Sequence, residues 1–522
     1  MNTKILWADD EIDLLKPHIL FLEEKGCTVV PVYSGADAID ELEQQKAGEG
    51  VDMVFLDEQM PGLSGIDTLA RIKERWPQLP VVMITKSEEE NLMEDALGGK
   101  ISDYLIKPVN PNQIWLTVKK HTEMRRLQNE RSTMSYQQRF REIGMHLQDR
   151  MDAEEWQEVY RKLVYWELEL AGTEDDNIHD ILLSQKQEAN LQFCRFVERH
   201  YADWVGGREE KPLMSHTVLQ ERLMPLLKGT KADSTFLIVI DNFRYDQWKF
   251  VQPLMEQYMR TERDELYYAI LPTTTQFARN AMFAGLMPSE IERKYPQYWV
   301  NEDQEGWKNQ YEAELLEENL RRHGLGVKLS YNKVLNAQYG HKVVERLPEL
   351  MHNGLNVVIY NFIDMLSHAR TESDIVRELA VDEKAYRSLT MSWLENSPLI
   401  EMLKALSEKN VNVIITTDHG SVRIDRPVRV KGDRDISVNL RYKQGRLLDY
   451  NPKDVFEVKD PAQIFLPRLH VTSPYIFCRA GDFFAYPNNY NEYVRYYTGT
   501  FQHGGVSMEE VMIPFVLMRG RK

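Results

Sequence analysis

The stretch Val411–Gly420, VNVIITTDHG, decides the fold of the second half of the chain. The residues up to Thr417 are mostly apolar or β-branched, which predicts a buried strand of a parallel sheet. Asp418 and His419 then lie at the end of that strand. Because ligands bind at the carboxyl ends of strands in open α/β sheets, this pair is a candidate for a functional site.

Two other segments repeat this pattern. FLIVI at 236–240 is followed by Asp241, and VVIY at 357–360 leads to Asp364, with His368 four positions further on. Parallel strands would bring these side chains to the same edge of the sheet as Asp418 and His419. We therefore expect one site, built from residues that lie far apart in the sequence.

The candidate side chains are carboxylates and imidazoles, which suit zinc, and three protein ligands leave a position open for substrate. The six candidates are Asp241, Asp364, His368, Asp418, His419 and His503. Six ligands can hold two ions, and paired ions can stabilise both the attacking and the leaving oxygen of a phosphoryl group. The segment LPTTTQFAR at 271–279 adds three hydroxyls, and a metal-bound threonine is an activated nucleophile.

Composition narrows the class of protein. A chain of 522 residues predicts about three domains. The net charge is −17, and residues 1–120 hold 22 acidic against 12 basic residues, so no basic face for duplex DNA is expected. No long apolar window or secretory pattern is found, and three scattered cysteines are expected to be buried free thiols. These features favour a cytoplasmic protein without membrane insertion.

The first 120 residues alternate strand and helix patterns, which predicts a doubly wound sheet. The five predicted strands lie at 4–8, 28–33, 53–56, 80–84 and 104–106. Carboxylates or other polar groups follow several of them, and clustered carboxylates at strand ends suit Mg²⁺.

This segment carries the motifs WADDE, VFLDEQMPGLSG, MIT and YLIKPV, and it resembles the flavodoxin-like receiver domain of response regulators. The resemblance implies that Asp57 accepts a phosphoryl group from a sensor histidine kinase. The implied Mg²⁺ ligands are Asp9, Asp10, Asp57 and the backbone carbonyl of Gln59. The implied switch residues are Thr85, Tyr104 and Lys107. A degenerate receiver that serves only for docking is the alternative.

The sequence pattern in the middle of the chain, from about residue 110 to residue 228, predicts a small helical bundle. A long helix is expected from Pro111 to about Arg150, and Asp152 with Glu155 predicts the start of another. Apolar and aromatic residues recur there at helical spacing, which predicts packing against a core. A further helix is expected from about Lys186 to Trp204. No helix-turn-helix composition for DNA binding stands out.

Residues from about 230 to 522 resemble the PglZ branch of the alkaline phosphatase superfamily through VIDNFR, PTTTQFAR, NFIDMLSH, TTDHG and QHGGVSMEEVMIP. The resemblance implies one zinc ion held by Asp241, Thr275, Asp418 and His419. It implies a second ion held by Asp364, His368 and His503. Among Thr273, Thr274 and Thr275, the last fits the nucleophile position best. Arg279 either contacts the substrate phosphate or braces the loop. An inactive scaffold and a metal-bound docking protein are the alternatives for this half.

The predicted domains are a receiver at 1–122, a helical bundle at 123–228 and an alkaline-phosphatase-like α/β domain at 229–522. This order resembles the response regulators of the type IX secretion system. The resemblance implies a phosphodiesterase that acts on short linear or cyclic oligonucleotides, and phosphorylation is expected to promote a homodimer. The alternative is a signalling adaptor that binds a sigma factor or a cytoplasmic segment of a secretion motor.

Residues 421–446 form a basic island with eight Lys and Arg against three Asp. The simpler expectation is a pair of solvated hairpins. Alternatively, some of these charges follow a phosphate backbone, with Tyr442 and Tyr450 stacking on bases.

Overall fold

The computed structural model describes residues 3–44, 50–76, 79–85, 101–147, 150–173, 176–229, 232–301, 304, 306–432, 437–468 and 473–521. The chain forms two compact units, Met1–Tyr136 and Gln137–Lys522. The predicted domain limits at residues 122 and 228 remain a prediction. None of the helices in the described ranges has the length and apolar composition needed to cross a bilayer.

The N-terminal unit is built on a parallel sheet with the strand order β2-β1-β3-β4-β5. These strands are β1 Thr3–Ala8, β2 Cys27–Val32, β3 Met53–Asp57, β4 Val81–Thr85 and β5 Asp103–Ile106. The helices are Lys16–Glu24, Gly35–Gln44, Gly65–Arg75 and Pro111–His146, the last of which continues into the second unit. The predicted doubly wound sheet is confirmed.

Strand β1 shows why both faces of this sheet are covered. Ile5 and Trp7 pack into one hydrophobic cluster, and Leu6 and Ala8 pack into the other. Side chains alternate between the faces of a strand, so a continuous apolar run predicts a strand that is buried on both sides.

Two long helices of the middle region belong to the C-terminal unit. The helix Ala153–Glu169 begins with the predicted capping box of Asp152 and Glu155. The next helix is Asp176–Val205, so its predicted start near Lys186 is wrong. It begins earlier because Ile178 and Leu182 are also buried in the core. The predicted aromatic stripe is confirmed as core, since Trp156, Tyr160, Leu163, Val164, Trp166 and Leu170 are all buried.

The C-terminal unit has a six-stranded mixed sheet with the order β7-β18-β10-β6-β9-β8. The strands are β6 Ser234–Ile240, β7 Met259–Tyr268, β8 Leu329–Val334, β9 Leu355–Tyr360, β10 Val411–Thr416 and β18 Met512–Gly520. Strands β10, β6 and β9 are parallel, as predicted, and β8, which was not predicted, is parallel to β9. Strand β18 is antiparallel to β10 and β7.

The C-terminal unit also contains short and medium-length helices. They are Ser215–Val218, Met224–Lys228, Tyr245–Met255, Asn280–Ala284, Pro288–Lys294, Glu312–Arg322, Ala337–Glu345, Leu347–Leu350, Phe362–Glu372, Asp374–Leu379, Glu383–Glu395, Pro398–Leu406, Tyr490–Tyr497 and Met508–Val511.

The segment between β10 and β18 forms three small sheets. Its strands are β11 Val422–Arg423, β12 Arg426–Arg429, β13 Tyr442–Gln444, β14 Phe456–Val458, β15 Tyr475–Phe477, β16 Asp482–Ala485 and β17 Phe501–Gln502. β11 pairs with β17, β12 pairs with β16, and β13 pairs with β15. The predicted pair of hairpins in the basic island is therefore wrong, because each of its strands pairs with a strand from much later in the chain. Residues 433–436 of the island lie outside the described ranges.

Candidate functional site

The first ligand cluster lies where two neighbouring parallel strands end. Asp241 follows β6, and Asp418 and His419 follow β10. His419 Nε2 is 3.7 Å from Asp241 Oδ1 and 3.6 Å from Asp418 Oδ2. His419 Nδ1 lies 3.1 Å from the carbonyl oxygen of Gly420, so Nε2 is the nitrogen that faces the carboxylates. All three side chains are buried.

Thr275 lies against this cluster. Its Oγ1 is 3.1 Å from His419 Nε2 and 3.4 Å from Asp241 Oδ1. The residue is half-buried, whereas its neighbours in the cluster are fully buried. The structure therefore presents one hydroxyl at the accessible side of a buried carboxylate–imidazole group.

The second ligand cluster consists of Asp364, His368 and His503. The first two lie four residues apart in the helix Phe362–Glu372, and therefore on one face of it. Asp364 lies 3.5 Å from His368 Nε2 through one oxygen and 3.5 Å from His503 Nε2 through the other. The His368 side chain is 60% exposed, so this cluster opens to solvent.

The two clusters are adjacent. The rings of His419 and His503 are stacked with centroids 4.3 Å apart. Asn242, the residue after Asp241, has a φ of 62° and directs its Nδ2 to Asp364 Oδ1 at 3.4 Å. Asparagine tolerates this left-handed backbone. Sequence reasoning missed Asn242, although it stands inside the quoted motif VIDNFR.

The charged groups of this site lie close enough together to shift one another's pKa values. Burial raises the pKa of Asp241 well above its usual range; the Arg279 charge opposes this, and the charges of Asp418 and Asp364 add to it. Burial would also raise the pKa of Asp364, but the hydrogen bond and charge of His503 lower it. Burial lowers the pKa of His419 to about 4. The pKa of one carboxyl is thus raised and that of its neighbour is lowered. Such opposite shifts are typical of a functional site in which several carboxylates lie close together and too few positive charges balance them.

The residues present fit a pair of metal ions. In each cluster, the oxygen and nitrogen atoms lie within 4.8 Å of one another. Asp418 Oδ2 is buried and has no hydrogen-bond partner among the described residues. Arg279 Nη1 lies 3.8 Å from this oxygen, too far for a hydrogen bond. A buried carboxylate oxygen without a donor is costly unless a cation binds it directly. Histidine nitrogens and carboxylate oxygens are donors that zinc accepts.

The three threonines of the loop differ in their contacts. The Thr273 hydroxyl donates to the carbonyl oxygen of Gly505 at 2.9 Å and accepts from the Gly504 amide at 3.0 Å. The Thr274 hydroxyl is buried without a hydrogen-bond partner among the described residues. Only Thr275, of these three, has its hydroxyl against the first ligand cluster. The geometry thus favours Thr275 among the alternatives.

Arg279 braces the loop. Its guanidinium donates to Asp241 Oδ2 at 2.8 Å and to Glu312 Oε1 at 2.7 Å, and the side chain is 1% exposed. These contacts hold Asp241 in place and leave the guanidinium unable to reach a substrate in solvent. Of the two predicted roles, the structure favours bracing over phosphate contact. Glu312, its second partner, could not be found from the sequence, because nothing local marks it.

The turn that carries His503 is held by a buried glutamate. Glu510 accepts from the Gly505 amide at 2.9 Å and from Ser507 Oγ at 2.7 Å, and it is ion-paired with buried Arg441. Gly504 has a φ of 120°, which favours glycine. A Cβ on Gly505 would lie 2.7 Å from the carbonyl oxygen of Cys478. The motif HGGVSMEE therefore encodes a turn with little steric freedom.

The basic island is partly structural. Arg441 and Lys443 are buried, and Arg426 donates to both carboxylate oxygens of Asp482. Tyr442 is 3% exposed and packs among Phe277, Tyr475 and Phe477, so the idea that it stacks on bases is not supported. Tyr450 is half-buried and donates its hydroxyl to Glu457 at 2.5 Å.

The N-terminal unit has its own acidic cluster. Asp9, Asp10 and Asp57 lie together at the carboxyl ends of the strands. Lys107 Nζ lies 2.9 Å from Asp57 and 3.0 Å from Asp9. Burial raises the pKa of Asp57, the Lys107 hydrogen bond lowers it, and the Asp9 charge raises it.

The other predicted receiver residues are placed as follows. Thr85 ends β4 next to this site, but its hydroxyl donates to Glu58. Tyr104 packs partly buried against the core on β5. Gln59 is exposed just after β3. The structure brings the acidic residues and Lys107 together, and the roles of Thr85, Tyr104 and Gln59 remain predictions.

Three protein families match successive parts of the chain. Residues 218–518 match the BREX system PglZ alkaline phosphatase-like domain. Residues 126–205 match the PorX response regulator linker domain, and residues 5–119 match the response regulator receiver domain. The predicted order of receiver, helical linker and PglZ domain is confirmed.

Individual relatives match about a quarter of the chain. The alginate biosynthesis transcriptional regulatory protein AlgB of Pseudomonas syringae pv. tomato is 34% identical over 124 residues, which cover 24% of this chain and 27% of that protein. The alkaline phosphatase synthesis transcriptional regulatory protein PhoP of Bacillus subtilis is 31% identical over 121 residues, 23% of this chain and 48% of that protein. The chain thus spans less than half the length of these regulators.

A solved structure also matches about a quarter of the chain. The crystal structure of a two-component response regulator from Clostridium difficile is 30% identical and covers 23% of this chain and 97% of that chain, with a TM-score of 0.22.

Proposed function

Because this chain belongs to the PglZ alkaline phosphatase-like family and carries a response-regulator receiver domain, we propose that it is a response regulator whose output is a zinc-dependent phosphodiesterase. Its receiver domain implies a sensor histidine kinase as partner. The proposed substrates are short linear or cyclic oligonucleotides, and the proposed process is type IX secretion. Phosphorylation of Asp57, with Mg²⁺ in the receiver, would control the output through dimerisation.

One observation carries the enzymatic part of this proposal. The Thr275 hydroxyl lies against Asp241 and His419, and a second ligand cluster lies beside them. A scaffold used only for docking needs neither a hydroxyl beside buried carboxylates nor an opening at His368. This arrangement favours the hydrolase over the signalling adaptor.

The proposed ligands follow the two clusters. Asp241, Thr275, Asp418 and His419 would hold one zinc ion, and Asp364, His368 and His503 would hold the other. Zinc, when bound, would supply the positive charge that draws a phosphate anion and that offsets charge developing in the transition state.

Each of the chain's own residues has a separate role in the proposed hydrolysis. The Thr275 oxygen attacks phosphorus, a Thr275–phosphorus bond forms and the ester bond breaks, so that the proton lost by Thr275 is balanced by the one that the leaving nucleoside oxygen takes up. Water then attacks the same phosphorus atom and the Thr275–phosphorus bond breaks. One proton of that water restores the Thr275 hydroxyl, and the phosphate monoester leaves. Asp241, braced by Arg279, holds the hydroxyl in position, and the exposed side of His368 is the side from which substrate enters.

The test uses the full chain loaded with zinc and a library of linear and cyclic di- and trinucleotides. We expect hydrolysis that depends on zinc and is lost in the Asp418→Asn variant. The assay is run with and without beryllofluoride, which mimics the phosphoryl group on Asp57. Bound zinc without hydrolysis of any nucleotide would reject the enzyme and favour the adaptor.

A further inference from the structure

The helix Asp176–Val205 contacts the segment that follows the His503 turn through buried polar side chains. Asn190 Oδ1 accepts from the Met508 amide at 2.8 Å, and Asn190 Nδ2 donates to Glu509 Oε2 at 2.7 Å. Lys186, one helical turn away, lies 3.1 Å from Glu509 Oε1. Both carboxylate oxygens of Glu509 are therefore bound to this one helix.

Glu509 is linked to a segment of each ligand cluster. It lies six positions after His503 in the same segment. A Cβ on Gly420 would overlap the carbonyl oxygen of Glu509, and the Gly420 amide donates to the Glu510 carbonyl at 3.2 Å. Gly420 directly follows His419. A shift of Glu509 would therefore move both the His503 turn and the His419 loop.

The same helix reaches the Asp241 loop through buried charges. Lys186 is paired with Glu167 at 2.8 Å, and Glu167 is paired with Arg387 at 2.5 Å. Arg387 in turn lies 2.9 Å from Asp246.

Asp246 completes this connection. Asp246 is ion-paired with Arg244 at 2.6 Å, and Arg244 lies three positions after Asp241 in the sequence. The aliphatic part of the Arg244 side chain lies against Gly420. Lys186 thus contributes positive charge to a network that contacts the loops that carry Asp241 and His419.

The acidic residues of this charge network do not form a metal site of their own. Glu167, Asp246 and Glu383 lie close together, but Arg244, Arg387 and Lys186 already neutralise them. Breaking a buried charge network by removing one partner leaves an uncompensated charge, so the remaining groups must rearrange.

We propose that Lys186 and Asn190 are positioning residues, which hold Glu509 so that the His419 and His503 loops present their ligands to zinc at the same time. Both residues lie in the region that matches the linker family, so the linker is part of the support of the metal centre. The inference rests on the proposed zinc-dependent function. Residues that orient metal ligands from behind commonly change metal affinity by about 10- to 100-fold when mutated.

The test measures the affinity of the full chain for Zn²⁺ alone, by competition with a chromophoric chelator. We expect Asn190→Ala and Lys186→Met to bind zinc about 10- to 100-fold more weakly than wild type. Lys186→Arg should restore most of the affinity, because a guanidinium can still bridge Glu167 and Glu509. Gln187→Ala, an exposed side chain of the same helix, is the matched control and should bind as wild type does.

The unfolding temperature of each metal-free variant separates positioning from simple stabilisation. If Asn190→Ala lowers that temperature but binds zinc as tightly as Gln187→Ala, the proposal is wrong. If Asn190→Ala does not fold, Asn190→Asp decides, because it keeps the acceptor for Met508 but repels Glu509; unchanged affinity in that variant also rejects the proposal. The affinity ratio is read without any nucleotide, so it judges this proposal even if the wild type hydrolyses none.

Discussion

At the scale of single residues, Thr275 is the side chain on which the proposed chemistry depends. Thr275→Val keeps the size and β-branching but removes the hydroxyl. Asp241, Asp418 and His419 remain as proposed ligands of that ion, so zinc should still bind. We expect nucleotide hydrolysis to fall by about a thousandfold or more, because the covalent step needs that oxygen. Thr274→Val is the matched control, and it should keep its activity. Full turnover by Thr275→Val would transfer the role of nucleophile to another group.

Gly505 is a second residue whose substitution should change both the stability of the fold and zinc binding. In Gly505→Ala, the new methyl group would lie 2.7 Å from the Cys478 carbonyl oxygen and 2.8 Å from Arg441 Nη2. Overpacking of this kind costs about 1–3 kcal/mol, and relief requires the His503 turn to move. We expect a lower free energy of unfolding and weaker zinc binding. Gly326→Ala, where the new methyl group would meet no atom of another described residue within 4 Å, should change neither.

At the scale of elements, the helix Ala153–Glu169 contributes Glu167 to a buried charge network. Burial would raise the pKa of Glu167, but the charges of Lys186 and Arg387 lower it to about 2 from an ordinary value of 4.5. A carboxyl whose pKa is lower in the folded state stabilises the fold above its unfolded pKa. This stabilisation should be complete above about pH 4.5 and should disappear as the pH falls towards 2.

Glu167→Gln should therefore reduce the dependence of the unfolding free energy on pH within that window. Denaturant titrations at several pH values measure the slope. Glu158→Gln, whose side chain is 66% exposed on the same helix, is the control and should keep the wild-type slope. Equal slopes in the two variants would show that Glu167 is not held by this network.

At the scale of the whole molecule, phosphorylation of Asp57 is expected to change the association state. Phosphate on Asp57 would place new negative charge beside Lys107, and this charge would change the receiver surface. Beryllofluoride with Mg²⁺ should convert a monomer into a dimer, as measured by size-exclusion chromatography with light scattering. Asp57→Asn should not respond. An unchanged mass in the wild type would contradict control through dimerisation.

The sequence alone predicted the five strands of the N-terminal sheet, the strands β6, β9 and β10 of the larger sheet, and the acidic and histidine residues that follow these three. It did not predict β7 and β8. Apolar runs and their polar ends are local signals, and parallel strands must bring such ends to one edge. The predicted start of the helix Asp176–Val205 was wrong, and so was the prediction that the strands of the basic island pair as hairpins. Those features depend on burial against distant segments, and a local pattern does not contain that information.

Tertiary structure decided which of several similar side chains faces the ligand cluster. Three adjacent threonines look alike in the sequence, but Thr273 is bound to a glycine turn more than 200 positions away, whereas Thr275 lies against Asp241 and His419. Glu312 determines that Arg279 braces the loop. The physical reason is common to these cases: a buried polar group takes its role from the partner that satisfies it, and only the folded chain selects that partner.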